Sequence, residues 1–261
     1  MLNILLARLQ QKHRTMAYPD GPAPAMPERF RGRPVIDAAK CQEGCSACAD
    51  ACPTDAIRIN GVPRIDLGRC LFCTDCLDAC PSGALSYSTD YRLAVRGRDD
   101  LVVDGAREMQ LATALDAKLM KLFGRSLKLR QVCAGGCNGC ESDVNVLNTV
   151  GWDIGRFGIQ FVASPRHADG LLITGPVTQN MKLALQQTYE AVPDPKIVIA
   201  VGACAIAGGP YIDHSEVNNG AGAAGGVVPV DLFIPGCPPH PLTILDGMLR
   251  LLGKIEARLT P

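Results

Sequence analysis

Thirteen cysteines in a chain of 261 residues are the side chains here best suited to do chemistry. Two of them, Cys137 and Cys140, stand at CxxC spacing in the stretch CAGGCNGCES (133–142). Gly135, Gly136 and Gly139 surround them, and glycine both takes positive φ readily and lets backbone N–H groups come close to a ligand. Thiolates suit soft cations and iron–sulfur clusters, but two thiolates are half a site. Two more occur in matching settings: Cys204 in VGACAIAGG and Cys237 in IPGCPP. Each follows a short apolar run (KIVIAV, 196–201; VDLFI, 230–234) and sits beside glycine. In an open α/β sheet such strand-to-loop junctions gather on one edge, where ligands bind. Four thiolates drawn from three loops point to a cluster held by a fold.

Residues 41–88 carry a denser signal. CLFCTDCLDACP (70–81) has the CxxCxxCxxxCP pattern of bacterial ferredoxins, which places three ligands on one cluster and the fourth on its neighbour. CQEGCSACADACP (41–53) repeats it with one extra residue between the first two cysteines, beside Gly44. That insertion is expected to bulge the loop while keeping the ligand. Crosswise ligation then gives Cys41, Cys45, Cys48 and Cys80 to one cluster and Cys70, Cys73, Cys76 and Cys52 to the other. Zinc also accepts four thiolates. Eight cysteines in ferredoxin register, each half closing on Cys-Pro, favour iron–sulfur.

The stretches CNGCE, SPRHADGLLITGPVT (164–178), PDPKIVIAVGACAIAGG (193–209) and VPVDLFIPGCPP (228–239) resemble the small subunit of membrane-bound (group 4) nickel–iron hydrogenases, including formate hydrogenlyase. Less closely, they resemble the cluster-bearing subunit of complex I. PERFRGRPVID and DYRLAVRGRDDLVV, on either side of the ferredoxin motif, resemble parts of the two-cluster ferredoxin subunits of the same complexes. The chain therefore looks like a fusion of two subunits. The resemblance implies an oxidoreductase subunit with three 4Fe–4S clusters, the third on Cys137, Cys140, Cys204 and Cys237. It also implies a partner large subunit holding nickel and iron, an electron-donor module (formate dehydrogenase, ferredoxin or similar), membrane subunits, and a peripheral place on the cytoplasmic face of the inner membrane. The alternatives are a complex I-like module that reduces quinone without nickel, and a zinc-stapled scaffold. The complex I subunits have two adjacent cysteines where this chain has CNGC, which favours the hydrogenase reading.

The elements that must position these thiols follow from the rest of the chain. Apolar residues make up 47% of it and aromatic residues 5%, so the core is expected to be mainly Val, Ile, Leu and Ala. Lys and Arg balance Asp and Glu, 26 against 26, which leaves no basic footprint for nucleic acid. An odd cysteine count, CxxC spacing and no secretory signal point to reduced thiols. No apolar run approaches the roughly 20 residues of a spanning helix.

Residues 1–34 are expected to form a basic amphipathic helix (1–16) and a proline-rich connector (18–34). The helix would lie on a membrane, pack on a membrane subunit or pack on its own protein. The connector's arginines read as a docking strap. A ferredoxin domain of α+β type is expected over 35–92, with a hairpin at IRINGVPRI (57–65) across its Asn-Gly turn. A linker over 93–126 turns helical from 106 to 123, with Leu111, Leu115, Leu119 and Leu122 on one side. The last unit, 127–261, alternates strands (127–132, 159–162, 170–174, 196–201, 230–234) with helices (141–150, 177–191, 241–256). This alternation predicts an α/β unit with a mostly parallel sheet, and the resemblance implies a flavodoxin-like core. NNGAGAAGG (218–226) reads as a loop.

Cys133 is expected to be a buried spare thiol. Glu141, at a helix start, suits a structural role at the positive end of the dipole, or a proton relay. His167 and His240 read as surface hydrogen-bonding groups. No Ser-His-Asp, HExxH, Walker or dinucleotide motif has a supporting context.

Overall fold

The structure, a computed structural model, describes residues 2–11, 14–105, 109–222 and 226–255. It opens with helix α1 (Leu2–Gln11), after which residues 14–33 run extended across the molecule. In the ferredoxin half come β1 (Pro34–Ile36), α2 (Ala47–Asp50), the hairpin β2 (Ile57–Asn60) and β3 (Val62–Asp66), α3 (Asp75–Asp78), β4 (Leu85–Tyr87) and β5 (Val102–Asp104). The hairpin turns where expected, at Gly61 with φ +74°, which pairs Asn60 with Val62. β5 adds to β3 antiparallel, and β1 pairs antiparallel with β4.

The internal repeat is visible bond by bond. Ser46 Oγ donates to Asp50 Oδ2 (2.7 Å), as Thr74 Oγ1 does to Asp78 Oδ2 (3.1 Å). These bonds brace α2 and α3, which present Cys48 and Cys76 inward, both buried. Past each helix, Cys52 Sγ accepts the Ala56 N–H (3.2 Å) and Cys80 Sγ accepts the Ala84 N–H (3.3 Å). The residue before each second ligand is left-handed: Gly44 at φ +74° and Phe72 at φ +54°. One half takes a glycine there, and the other holds a large side chain in a conformation such residues rarely adopt.

The α/β half consists of α4 (Ala117–Phe123), β6 (Leu127–Cys133), α5 (Gly139–Val146), β7 (Ile159–Phe161), β8 (Gly170–Thr174), α6 (Gln179–Ala191), β9 (Ile197–Val201), α7 (Gly202–Ala207), β10 (Leu232–Ile234) and α8 (Pro241–Leu251). The sheet order is β10-β9-β8-β6-β7 with every pair parallel. In the order of its own strands this is 2-1-3-4-5 read from the β7 edge, the flavodoxin-like arrangement. β8 and β9 are buried along their whole length, as strands covered on both faces should be.

Every residue of α8 is buried. Its two charged residues pair with each other, Arg250 Nε to Asp246 Oδ2 at 2.7 Å. The linker covers this helix: Leu115 N–H donates to Leu251 O (3.0 Å), and a Cβ on Gly247 would stand 2.6 Å from Ala94 Cβ. Val95 exchanges both backbone hydrogen bonds with Phe233 (3.0 and 2.9 Å), blunting the β10 edge. Ala200, Ile206 and Phe233 share one hydrophobic core with the ferredoxin half.

The linker corrects the expected helix over 106–123. Residues 106–108 lie outside those described, 109–116 are extended, and only Ala117–Phe123 is helical. Asp116 caps that helix, accepting the N–H groups of Lys118 and Leu119 (2.9 and 3.0 Å). Leu111 and Leu115 are buried from an extended chain laid over the core, whereas Leu122 is 52% exposed.

Candidate iron–sulfur sites

The loop after β6 carries Cys137, and Cys140 lies in the first turn of α5, which begins at Gly139 after a left-handed Asn138 (φ +71°). α7 carries Cys204, and the loop after β10 carries Cys237. All three lie at the carboxyl edge of the sheet, at and beside the β6/β8 switch point where such sheets bind ligands. Ala203 N–H donates to Gly236 O (2.8 Å), which ties the Cys204 and Cys237 loops together. Glycine makes the room: at Gly202 (φ +90°) a Cβ would stand 2.5 Å from Cys140 Sγ, and at Gly209 (φ +58°) 2.6 Å from Cys204 Sγ. Space that a single methyl group would fill is thus kept open round the thiols.

Electrostatics reports the same grouping. Burial first, then the Cys204 thiol, Glu141, Cys237 and Cys137, push the Cys140 thiol up. Cys204 rises to about 12 through burial and then through Cys237 and Cys137. Cys237 is raised by burial, then by Cys137 and by Cys73 of the ferredoxin half. Thiols that raise one another in this way stay protonated until a cation compensates, and metal binding releases those protons.

In the ferredoxin half, thiols of the two repeats lie close enough to act on one another. Burial raises Cys48, and the next contributor is Cys80, from the other half of the repeat, with Cys41 following. Burial takes Cys70 up to about 12, opposed by hydrogen bonds from Phe72 and Tyr87 and reinforced by Cys76 and Cys52. Cys76 is pushed up to about 11 by burial, then by Cys73, Cys52 and Cys48. For Cys80, hydrogen bonds from Ala84, Ser82 and Leu85 outweigh burial and lower the pKa. Cys45 closes a turn on Gln42 O (3.2 Å) and lies part-exposed. The thiols brought together here therefore suit iron–sulfur clusters in chemistry, and glycine keeps room beside Cys140 and Cys204.

Three residues outside the cysteine pattern matter to these loops. Tyr87 hydroxyl donates to Cys73 O (3.0 Å), lies 3.9 Å from Cys70 Sγ, and stacks its ring on Phe72. Thr174, at the end of β8, donates to Glu141 Oε1 (2.5 Å). Arg31 donates to Phe72 O (2.6 Å). Arg31 is legible in the sequence as part of a strap, but the other two carry no sequence signal.

The remaining expectations divide. Cys133 is exposed, not buried, because its side chain at the end of β6 meets solvent although its neighbours Val132 and Ala134 are buried. Glu141 is buried at 7% exposure. Burial alone would raise the Glu141 carboxyl, but Cys133, Thr174 and its own backbone outweigh burial and lower it. Glu141 thus accepts from Thr174 and ties α5 to β8. His167 is exposed. His240 caps α8, accepting the Leu242 N–H at Nδ1 (3.1 Å) between the rings of Phe30 and Trp152, and burial lowers its pKa.

A flavodoxin-like sheet with thiols gathered at its carboxyl edge, joined to a two-fold cysteine repeat, defines an iron–sulfur electron-transfer subunit of an oxidoreductase. Comparison with known proteins agrees. Residues 137–251 match the family model for the NADH ubiquinone oxidoreductase 20 kDa subunit, and residues 40–84 match the 4Fe-4S dicluster domain. The chain is 44% identical over 139 residues to the probable membrane-bound hydrogenase subunit mbhJ of Pyrococcus furiosus, covering 53% of this chain and 81% of that one. It is 42% identical over 146 residues to formate hydrogenlyase subunit 7 of Escherichia coli, covering 56% of each chain. It is 39% identical over 147 residues to an NADH-quinone oxidoreductase subunit of Heliobacterium modesticaldum, covering 56% of this chain and 81% of that one. The chain belongs to the NADH ubiquinone oxidoreductase 20 kDa subunit family, in a form that also carries a 4Fe–4S dicluster domain.

Proposed function

We propose that this chain is the electron-transfer subunit of a membrane-associated nickel–iron hydrogenase, relaying electrons between a donor module and the nickel–iron site of a partner large subunit. Three 4Fe–4S clusters, when bound, would carry electrons singly. Cys41, Cys45, Cys48 and Cys80 hold the first, Cys70, Cys73, Cys76 and Cys52 the second, and Cys137, Cys140, Cys204 and Cys237 the third. Residues 35–92 receive electrons from a formate dehydrogenase, a ferredoxin or a similar carrier, and residues 127–261 face the large subunit. Residues 93–126 join these units, and residues 1–34 are helix and connector.

The observation that carries this reading is the meeting of two cysteine loops. Leu71 and Phe72, from the loop of Cys70 and Cys73, line the same 330 Å³ cavity as Pro235, Gly236 and Cys237. The second and third thiol sets are thus neighbours, as a continuous electron path needs.

A peripheral place on the cytoplasmic face of a membrane fits the first residues. Ile4, Leu5, Leu6 and Leu9 of α1 are exposed, and residues 1–16 contain Arg8, Lys12, His13 and Arg14 with no acidic side chain. Such a face suits an anionic lipid surface or a membrane subunit. No helix among the described residues is long and apolar enough to cross a membrane.

Similarity to a quinone oxidoreductase subunit supports the second reading, a complex I-like module without nickel. The two intervening residues between Cys137 and Cys140 favour the hydrogenase. Metal analysis and hydrogen–proton exchange on the anaerobically purified complex decide between them. Nickel with hydrogen activity, about twelve irons on this chain and no competition by quinone analogues are expected. Zinc in place of iron, or inhibitor-sensitive quinone reduction without nickel, would refute the proposal.

A further inference from the structure

The extended segment before β1 is fastened to both halves of the molecule. Thr15 Oγ1 donates to Val150 O and Met16 N–H to Gly151 O (3.0 Å each). Arg156 donates to Met16 O and Tyr18 O (2.6 Å each), and Tyr18 hydroxyl donates to Asp246 Oδ1 (2.8 Å). These contacts belong to the α/β half. Farther on, Phe30 stands edge-on to His240, with ring centroids 5.5 Å apart. Gly32 N–H reaches Ser88 O (2.9 Å) in the ferredoxin half. Between these points Arg29, Phe30 and Arg31 wall the cavity shared by the Cys73 and Cys237 loops.

Arg31 carries a polar contact from this stretch into a cysteine loop. Its Nη1 donates to Phe72 O at 2.6 Å, and the Phe72 N–H donates to Cys70 Sγ at 3.3 Å. Phe72 is left-handed at φ +54°, a conformation that persists in a bulky residue only where its surroundings hold it. The Phe72–Tyr87 ring stack holds the side chain, and Arg31 holds the peptide. The matching position in the other half is Gly44, with open space where a Cβ would lie, and it needs no such clamp.

We propose that Arg31 is a positioning residue for the iron–sulfur centre of Cys70, Cys73, Cys76 and Cys52: by holding the Phe72 carbonyl it locks the left-handed Phe72 whose N–H reaches the Cys70 sulfur, and it places a cation on the cavity wall shared with Cys237. This rests on the ligand reading given above. Hydrogen bonds to cluster sulfurs and nearby positive charge both tune cluster potential, each by favouring the more negative, reduced state. The N-terminal strap, anchored on the α/β half, thereby sets the redox poise of a centre in the ferredoxin half.

The test is potentiometric titration of the full, reconstituted chain, followed by electron paramagnetic resonance. Signals are assigned through their loss in Cys45→Ser, Cys73→Ser and Cys237→Ser. In Arg31→Met, the centre lost in Cys73→Ser should titrate at lower potential, by on the order of tenfold in its reduced-to-oxidised ratio or about 59 mV. The centre lost in Cys45→Ser should not move. Arg31→Lys keeps the charge without the planar fork and should recover part of the shift. Arg33→Gln, on the same strap but outside the cavity and facing Asp90, should move none of the potentials.

A selective shift at full iron content supports the proposal. An unchanged potential in Arg31→Met, or an equal shift of all three centres, overturns it. If Arg31→Met loses iron, Arg31→Lys is read by the same criterion. A wild-type chain without about twelve irons would instead refute the ligand reading.

Discussion

The two halves of this chain gather four thiols in opposite ways. In the ferredoxin half, on the ligation proposed above, three ligands of each set come from one short loop, and the fourth crosses over from the other repeat. A four-residue helix, a serine or threonine bonded to an aspartate, and an N–H aimed at a sulfur recur in both repeats. In the α/β half the four thiols span residues 137 to 237 and meet only because a parallel sheet brings three loop ends to one edge. The first design writes the site into local sequence. The second makes it a property of the whole fold, with glycines keeping backbone clear of sulfur. The first should therefore tolerate local change, and the second should register it.

The largest expected effect tests whether the two halves act in series. Cys45→Ala combined with Cys73→Ala should abolish turnover with the natural donor, while a dye that reaches the partner subunit directly still supports hydrogen chemistry. Unchanged donor-linked turnover would take the ferredoxin half out of the path. Next in size is ligand loss in the α/β half. Cys237→Ser should remove or alter one cluster, about four of about twelve irons, whereas Cys133→Ser should keep them all. A loss of the third cluster in Cys133→Ser would move the ligand assignment to a different choice of thiols within CAGGCNGC.

The comparison sharpens at two glycines. In Gly202→Ala, a Cβ would lie 2.5 Å from Cys140 Sγ at φ +90°, and neither the sulfur nor the backbone has freedom to yield. We expect loss of the third cluster with the other two intact. Gly44→Ala places a Cβ in open space at φ +74°, so its cost is the left-handed conformation alone, about 1–2 kcal/mol, with all three clusters retained. Equal iron loss in both variants would contradict the division between locally and globally held sites. Iron analysis with spectroscopic assignment of each cluster makes the measurement.

Much of this is legible in the sequence because ligand spacing is itself the ferredoxin design. The α/β strands are legible because KIVIAV and LLIT are short apolar runs that only a sheet covered on both faces can bury. α7 is not: its six residues, GACAIA, lie between glycines and read as loop. The linker misleads because Leu111, Leu115 and Leu119 have helical spacing, yet the first two serve an extended segment draped over α8. Asp116 marks the true helix start, since its side chain caps two N–H groups. Cys133 misleads because the general tendency of free cysteine to pack as a small hydrophobe says nothing about one position's exposure. Thr174 and Tyr87 contact the cysteine loops from far along the chain, and nothing in their local sequence announces it. Crosswise pairing, by contrast, is an expectation that follows from the motif itself.

The smallest expected effect on the clusters concerns how the halves are kept together. Tyr18 is 7% exposed, and its hydroxyl donates to Asp246, which is fully buried against Arg250. Burial raises the Asp246 carboxyl, and Arg250 and Tyr18 oppose that rise. The Tyr18 bond therefore satisfies an anion that has no water to turn to. Tyr18→Phe keeps the ring and its edge contact with Tyr91 and deletes only the donor. Loss of one such bond to a buried charged group costs about 1.5–3 kcal/mol, although Arg250 still holds the other carboxylate oxygen. For a chain of this size that corresponds to a fall of roughly 3–12 °C in Tm. Thermal unfolding of the anaerobic, cluster-loaded protein should show this fall with all three cluster signals intact. An unchanged Tm would make the buried bond idle. Loss of a cluster signal would mean that the strap helps to build a site and does more than clamp finished ones.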